Sequence, residues 1–109
     1  MRIDAHQHYW EYWRNAADYG WMGDDMRVLH DDFGPADLAP LLEKGRFSGA
    51  VATPAPESQT ENDALLRLAD THPIIKGVVG WLDLCHSDVE ERIAHYASHN
   101  AFKGVRMLI

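Results

Sequence analysis

The sequence predicts an α/β fold in which strands and helices alternate in the order β-α-β-α-β-α-β about a parallel sheet. Three observations carry this. Short runs rich in Val and Ala open at Gly49, Gly77 and Gly104, 28 and then 27 residues apart. Apolar stripes at helical spacing fill the intervals between them. A further extended segment, Arg2–His6, precedes the set. This period fits a doubly wound sheet or part of an eight-fold barrel, in which about 250 residues give about 31 to each βα unit. On the barrel reading, 109 residues hold about half of the closed structure. The apolar end Leu108-Ile109 adds the expectation of an N-terminal fragment of a longer protein.

Arg2–His6 is the first strand. The aromatic insertion that follows, Tyr9 to Gly34, contains Trp10, Tyr12, Trp13, Tyr19 and Trp21. Connections this long are functional or disordered, and so many aromatic rings predict order, folded over the mouth of the sheet. The first helix covers Pro35 to Lys44, with Pro40 tolerable in the first two turns and Gly45 as its stop. The second strand opens at Ser48-Gly49-Ala50-Val51. The second helix runs from Thr60 to Asp70 on a stripe of Ala64, Leu65, Leu68 and Ala69, and stops before His72-Pro73 because the residue preceding proline disfavours the α region. The third strand starts at Lys76-Gly77-Val78-Val79 and closes at Trp81 and Asp83. Ser87-Asp88-Val89-Glu90 reads as a capping box for the third helix, which buries Val89, Ile93, Tyr96 and Ala97. The fourth strand, from Lys103-Gly104-Val105-Arg106 to Ile109, carries an apolar row of Val105, Met107, Leu108 and Ile109.

With 46% hydrophobic residues and 10 Lys+Arg against 17 Asp+Glu, for a formal charge of −7, the chain is an acidic globular domain. That charge argues against nucleic acid or an anionic membrane as partner, since neither gains from counterion release around it. No apolar stretch is long enough for a signal peptide or a membrane span. A lone Cys85 has no disulfide or Cys-x-x-Cys partner and is expected to be packing, which fits a cytoplasmic protein.

The first strand ends in Asp4-Ala5-His6-Gln7-His8. Alternate side chains of a strand share a face, so His6 and His8 point the same way with Cβ atoms roughly 6–7 Å apart. Asp4 has the same parity and is expected to orient one ring. Two neutral imidazoles at the carboxyl end of a strand suit a divalent metal such as zinc or a polarised carbonyl; the bland alternative is two polar residues satisfied by loop backbone. Trp10 and Trp21 in the insertion and Trp81 at the end of the third strand are candidate pocket walls, with simple packing as the alternative. Arg106 is a candidate fork for a carboxylate or hydroxyl-rich substrate, or else one half of a buried ion pair. His30, His72, His86, His95 and His99 are expected at the surface.

Taken together, Asp4-Ala5-His6-Gln7-His8, Trp21, Asp32-Phe33-Gly34-Pro35-Ala36-Asp37-Leu38-Ala39-Pro40-Leu41, Val78-Val79-Gly80-Trp81-Leu82-Asp83-Leu84 and Phe102-Lys103-Gly104-Val105-Arg106 resemble the N-terminal part of amidohydrolase-related proteins. Within them the pattern is similar to sugar-lactone hydrolases such as the L-fuconolactonases and L-rhamnono-lactonases, and to the pyrone-dicarboxylate lactonases. The resemblance implies a (β/α)8 TIM barrel, of which residues 1–109 form a partial domain, hydrolysing a lactone or related ester. It gives His6 and His8 as catalytic residues, and as metal ligands where a metal is used, because some members hold a divalent metal at His-x-His and some lactonases work without one. The remaining polar catalytic groups, two histidines from strands five and six and an aspartate from strand eight, would follow Ile109. Thr53-Pro54 and Met107 depart from the family's usual Val-Gln and His, which puts substrate identity in doubt more than reaction class.

Two other readings stand beside this one. A half-barrel with open strand edges would self-associate into a non-catalytic homo-oligomer. Another metal-dependent barrel hydrolase, such as a deoxyribonuclease with a similar opening motif, fits the acidic charge and the Trp81 segment less well.

Overall fold

The structure, a computed structural model, describes residues 1–108. Its elements are β1 (Ile3–Gln7), β2 (Trp10–Glu11), β3 (Asp32–Phe33), α1 (Pro35–Lys44), β4 (Gly49–Ala52), α2 (Gln59–Thr71), β5 (Ile75–Trp81), α3 (Val89–Ala97) and β6 (Phe102–Arg106). Strands β1, β4, β5 and β6 form a parallel sheet in that spatial order. Consecutive parallel neighbours joined by helices are the arrangement of successive units in a (β/α)8 barrel, as expected.

Two of the repeated glycines, Gly49 and Gly77, have a steric reason. A Cβ at Gly49 would run into the Ile74 carbonyl and the Lys76 side chain, and one at Gly77 would come within 2.8 Å of Lys103 Cγ. Each strand thus leaves room for the lysine stem of the next, so Lys-Gly recurs with the period of the fold.

The insertion is ordered. Its two ends pair as the antiparallel ribbon β2–β3, and 3-10 turns at Ala16–Tyr19 and Asp24–Leu29 fill the space between. Tyr19 is 1% exposed at its centre. Trp10 packs on Phe33 with ring centroids 5.0 Å apart, and Tyr12 stacks on His30 at 4.5 Å. Pro35 opens α1 where a missing N–H costs nothing, and Asp37 Oδ2 accepts the Gly34 N–H at 2.9 Å. The core gathers Tyr9, Ala52, Leu65, Leu66, Ile75, Val78, Leu82 and Tyr96 between the sheet and its helices.

Several expectations need correction. The capping box at Ser87 does not form: α3 begins at Val89, and the Asp88 N–H is accepted by His86 Nδ1 at 3.0 Å. Tyr96 alone is buried on α3, while Ile93 and Ala97 are exposed, because the short helix meets β6 mainly through the Tyr96–Phe102 stack at 5.2 Å. Strand β6 ends at Arg106, so Met107 and Leu108 lie beyond it and the expected apolar row is not a strand face; Ile109 lies outside the described residues. Cys85 is exposed rather than packed. Of the five remaining histidines only His95 is exposed; His30 reaches the Met22 carbonyl and His99 pairs with Asp70, both at 3.0 Å. Among the described residues no helix is long and apolar enough to cross a membrane.

Candidate active site

The carboxyl ends of β1, β4, β5 and β6 bring His8, Thr53, Trp81 and Arg106 to one end of the sheet. The pairing of β1 with β4 shifts between Asp4 and Gln7, a bulge at Ala5-His6. Bulges re-aim side chains beside active sites, and this one separates the two imidazoles from Asp4. Contrary to expectation, Asp4 orients neither ring; its carboxylate accepts the His6 backbone N–H at 3.1 Å and the Gln7 side-chain amide.

His6 and His8 do converge. Their Nε2 atoms are 3.1 Å apart, with ring planes at 82°. His8 Nδ1 lies 2.8 Å from the carbonyl oxygen of Thr53. That oxygen can only accept, so the hydrogen is inferred on Nδ1 and the Nε2 lone pair faces His6. Burial holds His8 below the ordinary imidazole value of 6.5, and the nearby His6 and Arg106 lower it further against the opposing Thr53 bond. A neutral His8 is therefore the working form near neutral pH.

This pair fits two ligands of one metal ion. Imidazole nitrogens bound to one zinc at about 2.0–2.1 Å with tetrahedral angles stand about 3.3 Å apart, close to the observed spacing. A ring whose Nδ1–H is held by a carbonyl is also the tautomer that zinc takes. No group of three or more His, Cys, Asp or Glu that could hold a metal occurs among the described residues, so a full ligand set requires donors beyond His6 and His8.

Arg106 faces Trp81 across the β5–β6 ladder. Its Nη2 lies 3.5 Å from the Pro54 carbonyl, and the guanidinium forms no salt bridge among the described residues, so the buried ion pair is not seen. Trp81 is half-buried and held through its backbone by Asn62: its N–H donates to Asn62 Oδ1 at 2.8 Å and its carbonyl accepts from Asn62 Nδ2 at 2.7 Å. Trp81 Nε1 and Thr53 Oγ1 are buried without partners among the described residues.

The other two candidate tryptophans, Trp10 and Trp21, stay with the insertion, and neither ring stacks on or hydrogen-bonds to His6 or His8. Trp10 Nε1 donates to the Leu29 carbonyl at 3.2 Å. Its ring lines a separate cavity of about 720 Å³ against α2, together with Tyr9, Phe33 and Glu61. Trp21 is 57% exposed beside Tyr19.

One residue of this site, Asn62, escaped the sequence reading, and Thr53 entered it only as part of the Thr53-Pro54 departure from the family pattern, not as a partner of His8. Asn62 was signalled by its place at helical spacing from Leu65, Leu66 and Ala69, a polar residue on an apolar stripe.

Residues 3–109 match the amidohydrolase family profile. The chain belongs to the amidohydrolase family. Two curated relatives are L-fucono-1,5-lactonases: that of Burkholderia multivorans is 41% identical over 96 residues, covering 88% of this chain and 32% of the relative. That of Burkholderia ambifaria is 34% identical over 109 residues, covering 100% of this chain and 37% of the relative. This amidohydrolase chain thus spans about a third of the length of the curated relatives it matches. Two solved structures of an amidohydrolase from Burkholderia multivorans superpose on 98% of the chain at 38% identity. One, with bound Zn, has a TM-score of 0.90, and the other, with bound HEPES, 0.89; the chain covers 37% and 36% of them.

Proposed function

We propose that residues 1–109 are the N-terminal part of a (β/α)8 barrel that hydrolyses a sugar lactone, with His6 and His8 as the carbonyl-activating pair. The observation that carries this is the convergence of two Nε2 atoms at the carboxyl end of β1, where barrel enzymes do chemistry. The two L-fucono-1,5-lactonase relatives support a six-carbon aldonolactone as the substrate class.

Hydrolysis adds water to the lactone carbonyl, breaks the ring C–O bond and yields the open hydroxy acid. Negative charge collects on the carbonyl oxygen in the transition state, and groups preorganised to meet it lower the barrier. Neutral His8 presents a lone pair there, so without a metal His6 is the donor for that oxygen, by turning its Nε2–H from His8 to the substrate. Thr53 holds the His8 ring against rotation, so only His6 has to move. Where a divalent metal is bound, His6 and His8 would hold it and it would supply Lewis-acid polarisation of the same carbonyl. Arg106 and Trp81 bind the hydroxyl-bearing part of the lactone, the first through its planar fork and the second by stacking on the apolar face of the ring.

Assaying the full-length protein on aldono-1,4- and 1,5-lactones, before and after chelation and zinc restoration, tests this reading. Turnover of a sugar lactone above its spontaneous hydrolysis is expected. A folded protein that leaves every lactone in the panel at the spontaneous rate would overturn it.

A further inference from the structure

We propose that Asn62 is a positioning residue of the active site: its side-chain amide replaces a strand partner for Trp81, which frees the Thr53-Pro54 end of β4 to face Arg106 beside His8. The inference rests on the hydrolase reading above.

Strand β5 outruns β4. Their register reaches Ala52 opposite Val78, where β4 ends, whereas β5 continues to Trp81. The N–H and C=O of one residue in an extended strand point to the same side, where a neighbouring strand would meet both. At Trp81 a single side chain meets both. A primary amide offers an acceptor and a donor side by side, as a peptide group does, and Asn62 closes the ring at 2.8 and 2.7 Å. Asn62 is 0% exposed, so an amide left unpaired here would carry its full desolvation cost. A leucine would suit the stripe of Leu65 and Leu66 better on packing alone, which is why the polar residue requires a polar reason.

Room for the clasp is made by Gly80. A Cβ there would lie 2.6 Å from both Asn62 Oδ1 and Phe102 Cε2.

The consequence is felt on β4. Continuing the β4–β5 register would set Ala55 opposite Trp81, so that the Trp81 N–H met the Pro54 carbonyl and the Trp81 carbonyl met residue 56, which is a proline and has no N–H to give. With Trp81 satisfied by α2, the Pro54 carbonyl is left to β6, while Thr53, of the opposite parity, keeps its ladder side toward β1. The Thr53 N–H donates to the Gln7 carbonyl at 2.9 Å, the Thr53 carbonyl accepts from His8 at 2.8 Å, and the Pro54 carbonyl faces Arg106 at 3.5 Å. One buried amide therefore fixes the height of Trp81 and frees the Pro54 carbonyl for the candidate binding fork, on the residue next to Thr53, whose carbonyl orients the candidate catalytic ring.

The test uses the full-length protein. Asn62→Leu keeps the branched shape, though bulkier, and removes both hydrogen bonds; Asn62→Asp keeps the size and an acceptor for the Trp81 N–H and removes the donor, and serves if the leucine variant does not fold. Either should lower kcat/KM on a sugar lactone about ten-fold or more with the far-UV circular dichroism unchanged. The variant combined with Trp81→Ala should lose less than the product of the two single losses. The Nδ1–H resonance of His8 should shift in the Asn62 variants even without substrate. Multiplicative losses, or a His8 resonance that does not move, would overturn the proposal. A wild-type protein without lactonase activity would sink the hydrolase reading instead, and the resonance would still decide the structural role of Asn62.

Discussion

His8 Nδ1 and the carbonyl oxygen of Thr53 meet at 2.8 Å across the join between β1 and β4, and this contact selects which nitrogen of the ring is free. Replacing either histidine removes one of the two converging Nε2 atoms. In the full-length protein His6→Ala and His8→Gln should each lower kcat/KM by about 10²–10⁴. His6 is exposed, so the thermal midpoint of His6→Ala should stay near that of the wild type. Steady-state kinetics beside a thermal melt would separate the two effects, and near-normal turnover in either variant would remove the pair from the site.

The same ring makes stability depend on pH. Burial, His6 and Arg106 set the folded value of His8 below 6.5, so between the two values the unfolded chain binds more protons than the folded one. The contribution of neutral His8 is therefore complete above 6.5 and declines as pH falls through the lowered folded value. Denaturant midpoints across this window should rise with pH in the wild type and rise less in His8→Gln. Equal slopes would mean that His8 is not held neutral by the fold.

Arg106 touches the Pro54 carbonyl through one nitrogen, which leaves the rest of the fork available. Arg106→Lys keeps the charge but loses planar two-point recognition, and should raise KM about ten-fold with a smaller change in kcat. Unchanged kinetics with a lower melting temperature would assign Arg106 to structure alone.

Gly80→Ala drives a methyl group into Asn62 Oδ1 and Phe102. Because both neighbours are packed, the expected cost is about 1–3 kcal/mol, read from urea unfolding. The analogous change at Gly104, where a Cβ meets nothing within 4 Å, should cost much less and serves as the control.

The sequence by itself determined the alternation of the four sheet strands with the three helices, the parallel sheet and the strand-one histidines, because each of these rests on local rules, though it did not determine the β2–β3 ribbon of the insertion. Gly49 and Gly77 mark strand spacing, Pro35 and His72-Pro73 bound helices, and His6 and His8 share a face through the two-residue period of a strand. Only the tertiary structure decided which partners those residues meet. The bulge at Ala5-His6 withdrew Asp4 from the rings, and a carbonyl from Thr53, 45 residues away in sequence, took its place. Asn62 looked like an interruption of an apolar stripe until β5 brought Trp81 against it. Hydrophobic periodicity is a property of one segment and is legible there. A hydrogen-bond partner depends on where two separately folded segments come to rest, and only their packing fixes that.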